Sequence, residues 1–502
     1  MRIRINKDLG IMKALSIVAS AAAVLIFVQC GPEVEPAPGE DPAPDFSSVS
    51  RVDSATAVSV MLTTYSTTLR ANGEDWTKLR IAITDSTGRE ITSAQDSVRI
   101  YVTGDGVITA LDGTGLPALA DTVEMLYTPA KLANGVATFA FKAGTSPGRV
   151  EVEARSGTLS PGSHQIHTIP ADVEMMTPTA EQLPATTKSI DRMIGADISF
   201  LPQIESGVGR FSRAGGRFFE DGREVDAVEL LNGHGFNYIR LRIFVNPENE
   251  AGYSPEQGFC GLDHTLAMAR RVKEAGMGLL LDFHYSDYWA DPQQQNKPLA
   301  WADLDYETLK DSVRAYTSSV LRALESQGTL PDMVQIGNEI NHGLLWPDGH
   351  IGHLDQLAGL LRAGVEGTEA VDPDMPVMMH IALGGQNDES RFWLDNMIAR
   401  DVKFDIIGIS YYPRWHGTLE DLHGNLHDLV HRYNKPVNVV EYSNFKREVH
   451  EIVFDLPGDM GKGTAIWEPL GWRSGMFDRE GNVTDLIGVY DEMNARYIQG
   501  SN

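Results

Sequence analysis

From about Ser189 onward, short apolar runs alternate with amphipathic segments, and that alternation leaves few folds open. The strand candidates are Ile194 to Ser199, Tyr238 to Val245, Gly278 to His284, Met333 to Gly337, Val377 to Ala382, Phe404 to Tyr411, Val437 to Glu441 and Gly463 to Trp467. Between them apolar residues recur at helical spacing, as in Leu309, Val313, Tyr316, Val320 and Leu324, or Leu262, Leu266, Ala269 and Val272. Eight strands with intervening helices predict a (β/α)8 TIM barrel of the α/β class over residues 189–502. A doubly wound open sheet would also alternate, but no glycine-rich phosphate turn follows the first strand.

The 502 residues exceed one barrel, so a second domain is expected before it. Between about Val52 and Ile169 apolar residues nearly alternate, in Leu79 to Ile83, Val98 to Val102, Val136 to Phe141 and Val150 to Ala154. Turn signals such as Ser86-Thr87-Gly88, Asn134-Gly135 and Ser146-Pro147-Gly148 separate these runs. The pattern predicts a small all-β sandwich over residues 49–169, and it resembles bacterial immunoglobulin-like modules. Residues 170–188, rich in Pro, Thr and Ala, read as a linker, and residues 30–48, with few hydrophobics, as a disordered tether.

Lys and Arg number 42 against 69 Asp and Glu, a net charge of −27 that repels phosphate backbones, so nucleic acid is a poor partner. Two cysteines, Cys30 and Cys260, cannot form a disulfide framework, and Cys260 reads as a buried structural thiol. Basic residues near Met1 or Met12-Lys13 precede the apolar run Ala14 to Val28, which is short for a membrane span and typical of a signal-peptide core. With Cys30 directly after it, residues 1–29 resemble a bacterial lipoprotein signal, in which Cys30 becomes the lipidated first residue. The acidic residues that follow resemble export signals of surface lipoproteins. The expected location is therefore the outer membrane, exposed at the cell surface and held by a lipid anchor only.

In a barrel of this kind the site forms where strands end at the C-terminal mouth. The fourth strand ends Gln335-Ile336-Gly337-Asn338-Glu339, and the seventh ends Val439-Val440-Glu441-Tyr442. Glu339 and Glu441 would face each other across one cleft, as a retaining glycosidase requires. One carboxyl protonates the leaving oxygen and the other attacks the anomeric carbon, with the two groups about 5 to 5.5 Å apart.

Further segments carry a family resemblance: Gly195-Ala196-Asp197-Ile198-Ser199, Tyr238 to Pro247, Leu281-Asp282-Phe283-His284-Tyr285-Ser286-Asp287, Trp289-Ala290-Asp291-Pro292, Ile409 to Pro413 with Trp415 to Leu419, and Trp467-Glu468-Pro469. In this order they are similar to glycoside hydrolase family 53, the arabinogalactan endo-β-1,4-galactanases, over about Ile194 to Tyr497. The resemblance implies retaining, endo-acting hydrolysis of β-1,4-galactan by a monomer without organic cofactor, with Glu339 as acid/base and Glu441 as nucleophile. No metal is expected, and the stretch between Glu441 and Trp467 lacks an Asp-x-Asp calcium run found in longer seventh loops of relatives. Rival readings are another retaining barrel glycosidase, acting on mannan, xylan or terminal galactosides, and a non-catalytic surface glycan-binding protein.

Alternation puts Arg240 and Arg242 on the inside of strand two, with Arg242 nearer the mouth and so expected beside Glu441. Arg240 reads as a barrel salt bridge to Asp197 or Asp282. Asn338 suits the sugar 2-hydroxyl, and His284 and Tyr411 are expected to orient Glu441 or touch the same ring. His380 stays open between site and core. Trp467 is expected as the floor under the cleaved sugar, with Trp289, Trp346 and Trp415 beside the cleft. Asp287, Asp291 and Lys297 either bind hydroxyls or brace the third loop. The His350 to His353 pair reads as loop surface, without a zinc pattern. The sandwich, with Tyr65, Trp76 and Tyr101 dispersed and no aromatic platform, is expected to be a spacer, in preference to a carbohydrate-binding module, and its removal to leave kcat/KM on soluble galactan nearly unchanged.

Overall fold

In the computed structural model, eight parallel strands close into a barrel: Met193–Asp197, Tyr238–Ile243, Gly278–Phe283, Met333–Ile336, Val377–Ile381, Ile406–Tyr411, Val437–Tyr442 and Gly461–Trp467. The residues described are 45–113, 115, 118–120, 124–127, 130–208, 216–471 and 474–501. The expected signal segment, Cys30 and most of the tether lie outside them. Nearly every barrel-strand residue is buried, which is why these segments read as continuous apolar runs. The first and eighth strands close the ring, Met193 opposite Gly463 and Asp197 opposite Trp467. Gly463 permits the approach: its φ is +105°, and a Cβ there would sit 1.8 Å from the Met193 carbonyl oxygen.

Helices wrap the barrel on the expected periodicity. Asp305 caps Tyr306–Ser326 by accepting from the Thr308 N–H at 3.0 Å, and Leu309, Val313, Val320 and Leu324 turn inward. The helix Leu262–Glu274 is rotated from the expected face: Leu262 is exposed, while Thr265, Met268, Ala269 and Val272 are buried.

Two sheets form the all-β region. One holds Ser59–Thr64, Trp76–Thr84, Gly106–Thr109 and Val136–Ala143, and the other Thr68–Arg70, Ser97–Thr103, Gly148–Arg155 and Gly162–Ile169, with shorter strands at their edges. Between them lie Leu62, Leu79, Ile81, Ile100, Val102, Phe141, Val152 and Ile166. The residues expected to alternate inward are those that meet there.

This region is no detached spacer. Thr67 and Thr68 grip Glu389, which begins a barrel helix: the Thr67 hydroxyl lies 2.7 Å from Oε1, the Thr67 N–H donates to Oε2, and the Thr68 hydroxyl donates to Oε1 at 2.8 Å. Thr67 Oγ1 also lies 2.8 Å from His342 Nε2, and His342 stacks on His167 with ring centroids 3.9 Å apart. His350, expected at the loop surface, instead meets His167 at 3.0 Å. The linker is likewise fastened to the barrel, through Gln182 to Asp401 and Thr186 to the Asp405 carbonyl. Where the tether is described it is not disordered: Ser47–Ser50 forms a helical turn and Phe46 is buried in the barrel's core cluster. The sequence did not show this fastening because single polar residues far apart in the chain make the junction, and none belongs to a repeating pattern.

Removing Glu389 as alanine would strand the Thr67 N–H and the Thr68 hydroxyl and leave the Thr67 hydroxyl only His342, an expected loss of roughly 1–3 kcal/mol by chemical denaturation. The junction should also weaken in acid. Burial raises the Glu389 carboxyl, but His342 and Thr67 outweigh it and hold it below its usual range, so its contribution is lost as pH falls through that lowered value. Burial brings His350 down from 6.5 to about 4, so it folds neutral while the unfolded chain charges. Stability is then full above pH 6.5 and drains between 6.5 and 4, a window in which Tm should fall.

Candidate active site

The centre of the mouth is built on Arg240, from strand two, which is 2 % exposed. Its Nε donates to Gln335 Oε1 at 3.2 Å, Nη1 to Asp197 at 3.0 Å and Glu441 at 3.1 Å, and Nη2 to Asp282 at 2.9 Å and Asn338 at 2.7 Å. All five guanidinium N–H groups are engaged. One residue thereby ties strands one, two, three, four and seven at the level where the two glutamates emerge.

Glu339 follows Gly337 (φ 83°) and is itself left-handed, with φ 50° and ψ 52°. A non-glycine residue held there is strained by about 1–3 kcal/mol, a cost that surrounding contacts must offset. One carboxylate oxygen of Glu339, one of Glu441 and a ring nitrogen of His380 lie within 4.8 Å of one another. That is close to the roughly 5–5.5 Å of a retaining pair and short of the roughly 6.5–9.5 Å of an inverting one. The trio could in principle hold a metal ion, but both His380 nitrogens are occupied. Nε2 meets Ser410 Oγ at 2.8 Å, and Nδ1 meets Gln335 Nε2 at 3.1 Å and the Glu339 N–H at 3.4 Å.

Their surroundings push the carboxyls apart. Burial first, and then the charge of Glu441, lifts Glu339 well above the usual range, opposed by the Ser410 hydroxyl, which donates to Oε1 at 2.7 Å. Burial also raises Glu441, but Arg240 and the Tyr412 hydroxyl, donating to Oε1 at 2.8 Å, pull against the rise. Tyr412 itself is driven well above its ordinary value by burial and by both glutamates, so it remains a donor. Glu339 is therefore the protonated partner and Glu441 the charged one.

Several expected neighbours stand elsewhere. Arg242 does not touch Glu441; it pairs with Asp197 at 3.2 Å and Glu468 at 2.6 Å, its guanidinium 4.3 Å from the ring centres of both Phe200 and Trp289. The longer reach of Arg240, one layer deeper, fills the place expected of Arg242. Tyr411 is fully buried and donates to the Gly417 carbonyl, while Tyr412 turns to Glu441. Gly408, Ser410 and Tyr412 share the inner face, so the alternation could have singled out Tyr412. His284 braces the third loop instead of the site: Nδ1 accepts from the Ala290 N–H at 3.1 Å and Nε2 lies 3.1 Å from Asp282.

Asp287 is likewise a brace, accepting from the Asn246 and Leu299 N–H groups at 2.8 Å, and Lys297 pairs with Asp348. Trp346 donates to the His342 carbonyl and packs beside His167 and His350 at the sandwich junction, and it is not among the residues lining the cleft. Asn338 directly precedes Glu339, its amide nitrogen donating to the Ala290 carbonyl at 2.9 Å. Trp289 stands edge-on to Trp467, and Trp467 and Trp415 line the cleft.

That cleft has a volume of about 680 Å³. Glu339, Glu441, Tyr412, Asp291 and Glu468 line it with the two tryptophans, and so do Thr67, Ser163, His164 and Gln165 from the sandwich. Glu468, which sequence reasoning quoted only within a motif, accepts from Arg242 and from the Phe200 N–H at 3.0 Å, while its Oε2 has no partner among the described residues. Ser410, Tyr412 and His380 are the other neighbours of the carboxyls that strand parity could have located.

Exchanging the two adjacent tyrosines for phenylalanine should separate their roles. Tyr412→Phe removes a donor that lowers Glu441, so the acid limb of kcat/KM should move to higher pH and kcat should drop by about 10- to 100-fold. Tyr411→Phe should leave the pH profile in place, which rate measurements across pH would show.

The comparisons agree with this geometry. The family model for Glycosyl hydrolase family 53 matches residues 193–451, and that for Glycoside hydrolase family 2 C-terminal domain 5 matches residues 60–165. An uncharacterized Niallia circulans protein from the bgaB 5' region is 39% identical over 339 residues, 58% of this chain and 89% of its own length. The arabinogalactan endo-β-1,4-galactanase A of Emericella nidulans is 37% identical over 312 residues, 55% of this chain and 84% of its length. Among solved structures, the Ignisphaera aggregans GH53 catalytic domain matches with a TM-score of 0.55 at 31% identity, covering 63% of this chain and 99% of that one. With the barrel, the paired glutamates and these matches in hand, the chain belongs to glycosyl hydrolase family 53.

Proposed function

We propose that the protein is a retaining endo-β-1,4-galactanase acting on galactan and type I arabinogalactan. The observation that carries the mechanism is the close approach of Glu339 and Glu441 in opposed electrostatic settings. The substrate rests on the names its relatives carry. Glu339 holds a proton and gives it to the leaving glycosidic oxygen while Glu441 attacks the anomeric carbon, forming a glycosyl ester as the C–O bond breaks. Esterification removes the Glu441 charge that helps to raise Glu339. Having given up its proton, the carboxyl of Glu339 then stays ionised without that charge beside it, and takes a proton from the water that releases the sugar. Tyr412 and Arg240 keep Glu441 ionised until it attacks.

Product analysis on linear β-1,4-galactan tests substrate, linkage and endo action together. Short oligosaccharides with the β-anomer appearing first by proton NMR are expected. Release of galactose alone would exclude endo action, and an α-anomer would exclude retention. Glu441→Ala should be nearly inert on galactan and on aryl galactosides alike. Glu339→Ala should lose roughly 10² to 10⁴-fold on galactan yet still be glycosylated by an activated aryl substrate, with azide restoring turnover as a β-glycosyl azide. The reverse pattern would swap the two roles.

We further propose a monomer anchored to the outer membrane at the cell surface through a lipid on Cys30; the anchor is supported by the apolar run Ala14 to Val28, which Gln29 separates from Cys30. Cys30→Ser should move the protein from the membrane to the soluble fraction.

A further inference from the structure

We propose that the sandwich is part of the substrate-binding cleft: Ser163, His164 and Gln165 form a sugar-binding wall on the leaving-group side of Glu339. This rests on the galactanase reading and goes beyond it, because these residues precede the matched family segment.

The direction of the chain follows from the carboxyls. The acid must reach the leaving oxygen, so the departing part of the glycan lies on the Glu339 side of the cleft. That is the side of the sandwich strand Gly162–Ile169, whose His167 stacks on His342 and meets His350 at 3.0 Å, both in the segment after Glu339. His342, three residues after Glu339, meets Thr67 at 2.8 Å, and the strand Gly162–Ile169 contributes its lining residues to the same cleft. The opposite side is formed by Trp467 and Glu468.

The wall is held rigidly. Arg414 donates to the Pro161 carbonyl at 2.6 Å, and His164 Nε2 donates to the Trp415 carbonyl at 3.2 Å. Arg149 reaches the Gln293 carbonyl at 3.3 Å, and Asn444 donates to the Thr87 carbonyl at 3.0 Å. The sandwich is thus fastened to the rim after strands three, six and seven, and its residues are ordered before substrate arrives, which removes an ordering cost from binding.

The chemistry on this side suits a pyranose. Trp415 is 39 % exposed and offers an aromatic surface. Gln386, which also lines the cleft, is 1 % exposed; its Nε2 donates to the Trp415 carbonyl at 2.7 Å, but its Oε1 has no partner among the described residues. A buried acceptor left unmatched is unfavourable, and a sugar hydroxyl donating to it would relieve that. With Ser163 and Gln165 lining the same cleft, the Gln165 side-chain oxygen held by Arg149, the leaving sugar would meet an aromatic surface and polar groups together.

The test compares full-length wild type, Gln165→Ala and Ser163→Trp on linear β-1,4-galactan and on β-galactobiosyl fluoride, whose leaving group is too small to touch the wall. Both variants should lose about tenfold in kcat/KM on galactan while staying within roughly twofold on the fluoride. Thermal unfolding of each variant verifies that it is folded, and Gln165→Ala carries the test if the bulky Ser163→Trp is not. Equal loss on both substrates, or no loss on galactan, would overturn the wall. A wild type that cleaves the fluoride and leaves galactan intact would overturn the galactanase reading itself. A wild type active on galactan with indifferent variants would overturn only the subsite.

Discussion

Everything in the mouth depends on the buried guanidinium of Arg240. Its planar fork presents five N–H groups in fixed directions, and the barrel brings an acceptor to each of them from strand one, three, four or seven. A buried cation without that company would carry a desolvation penalty of several kcal/mol, and the buried carboxylates of Asp197 and Asp282 would carry the same. The charges are tolerable only together. The consequence for catalysis is positional: Glu441 and Asn338, which come from different strands, are held by the same group and cannot drift independently.

The two glutamates have identical side chains and similar burial, so their division of labour comes wholly from the third party each one meets. Glu441 faces a permanent cation and a phenol that burial keeps protonated. Glu339 faces a serine hydroxyl backed by a neutral histidine, His380, which burial and Arg240 hold well below its ordinary value. Neither neighbour of Glu339 brings a positive charge, so the cost of burial is left to its proton. The arrangement separates acid from nucleophile by the position of one buried arginine, which bonds Glu441 and not Glu339.

The barrel was legible because each strand is buried on both faces and therefore reads as an unbroken apolar run between polar helices. The glutamate pair was legible because barrel chemistry collects at strand ends. Their neighbours were harder, and for geometric reasons. Choosing Tyr411 over Tyr412 is an error of one residue in strand parity, and choosing Arg242 over Arg240 ranks height along the strand above the reach of an arginine side chain. Alternation was sufficient to correct the first, since Ser410 and Tyr412 lie two apart on the inner face. No local pattern corrects the second, because Glu468 draws Arg242 away from Glu441 and lies 226 positions later in the chain. The junction of Thr67, His342 and Glu389 was illegible for a similar reason: its members are isolated polar residues 275 and 322 positions apart, and each resembles ordinary surface until the fold joins them.

That junction also bears on the acid. Glu339 adopts its left-handed conformation at the start of the short turn Ile340–His342, and such strain persists only where later contacts over-determine it. Two of those contacts are on the barrel: the Trp393 indole donates to the Ile340 carbonyl at 2.9 Å, and His342 Nδ1 donates to the Pro292 carbonyl at 2.8 Å. The third comes from outside it. Thr67 presses on the far nitrogen of His342 while it binds Glu389, so the turn is clamped between the third loop, the fifth-strand helix and the sandwich. The same few residues that bury the sandwich against the barrel therefore hold the backbone from which the acid projects. A loosened junction should disturb the geometry of Glu339 before it disturbs that of Glu441, which Arg240 secures from below.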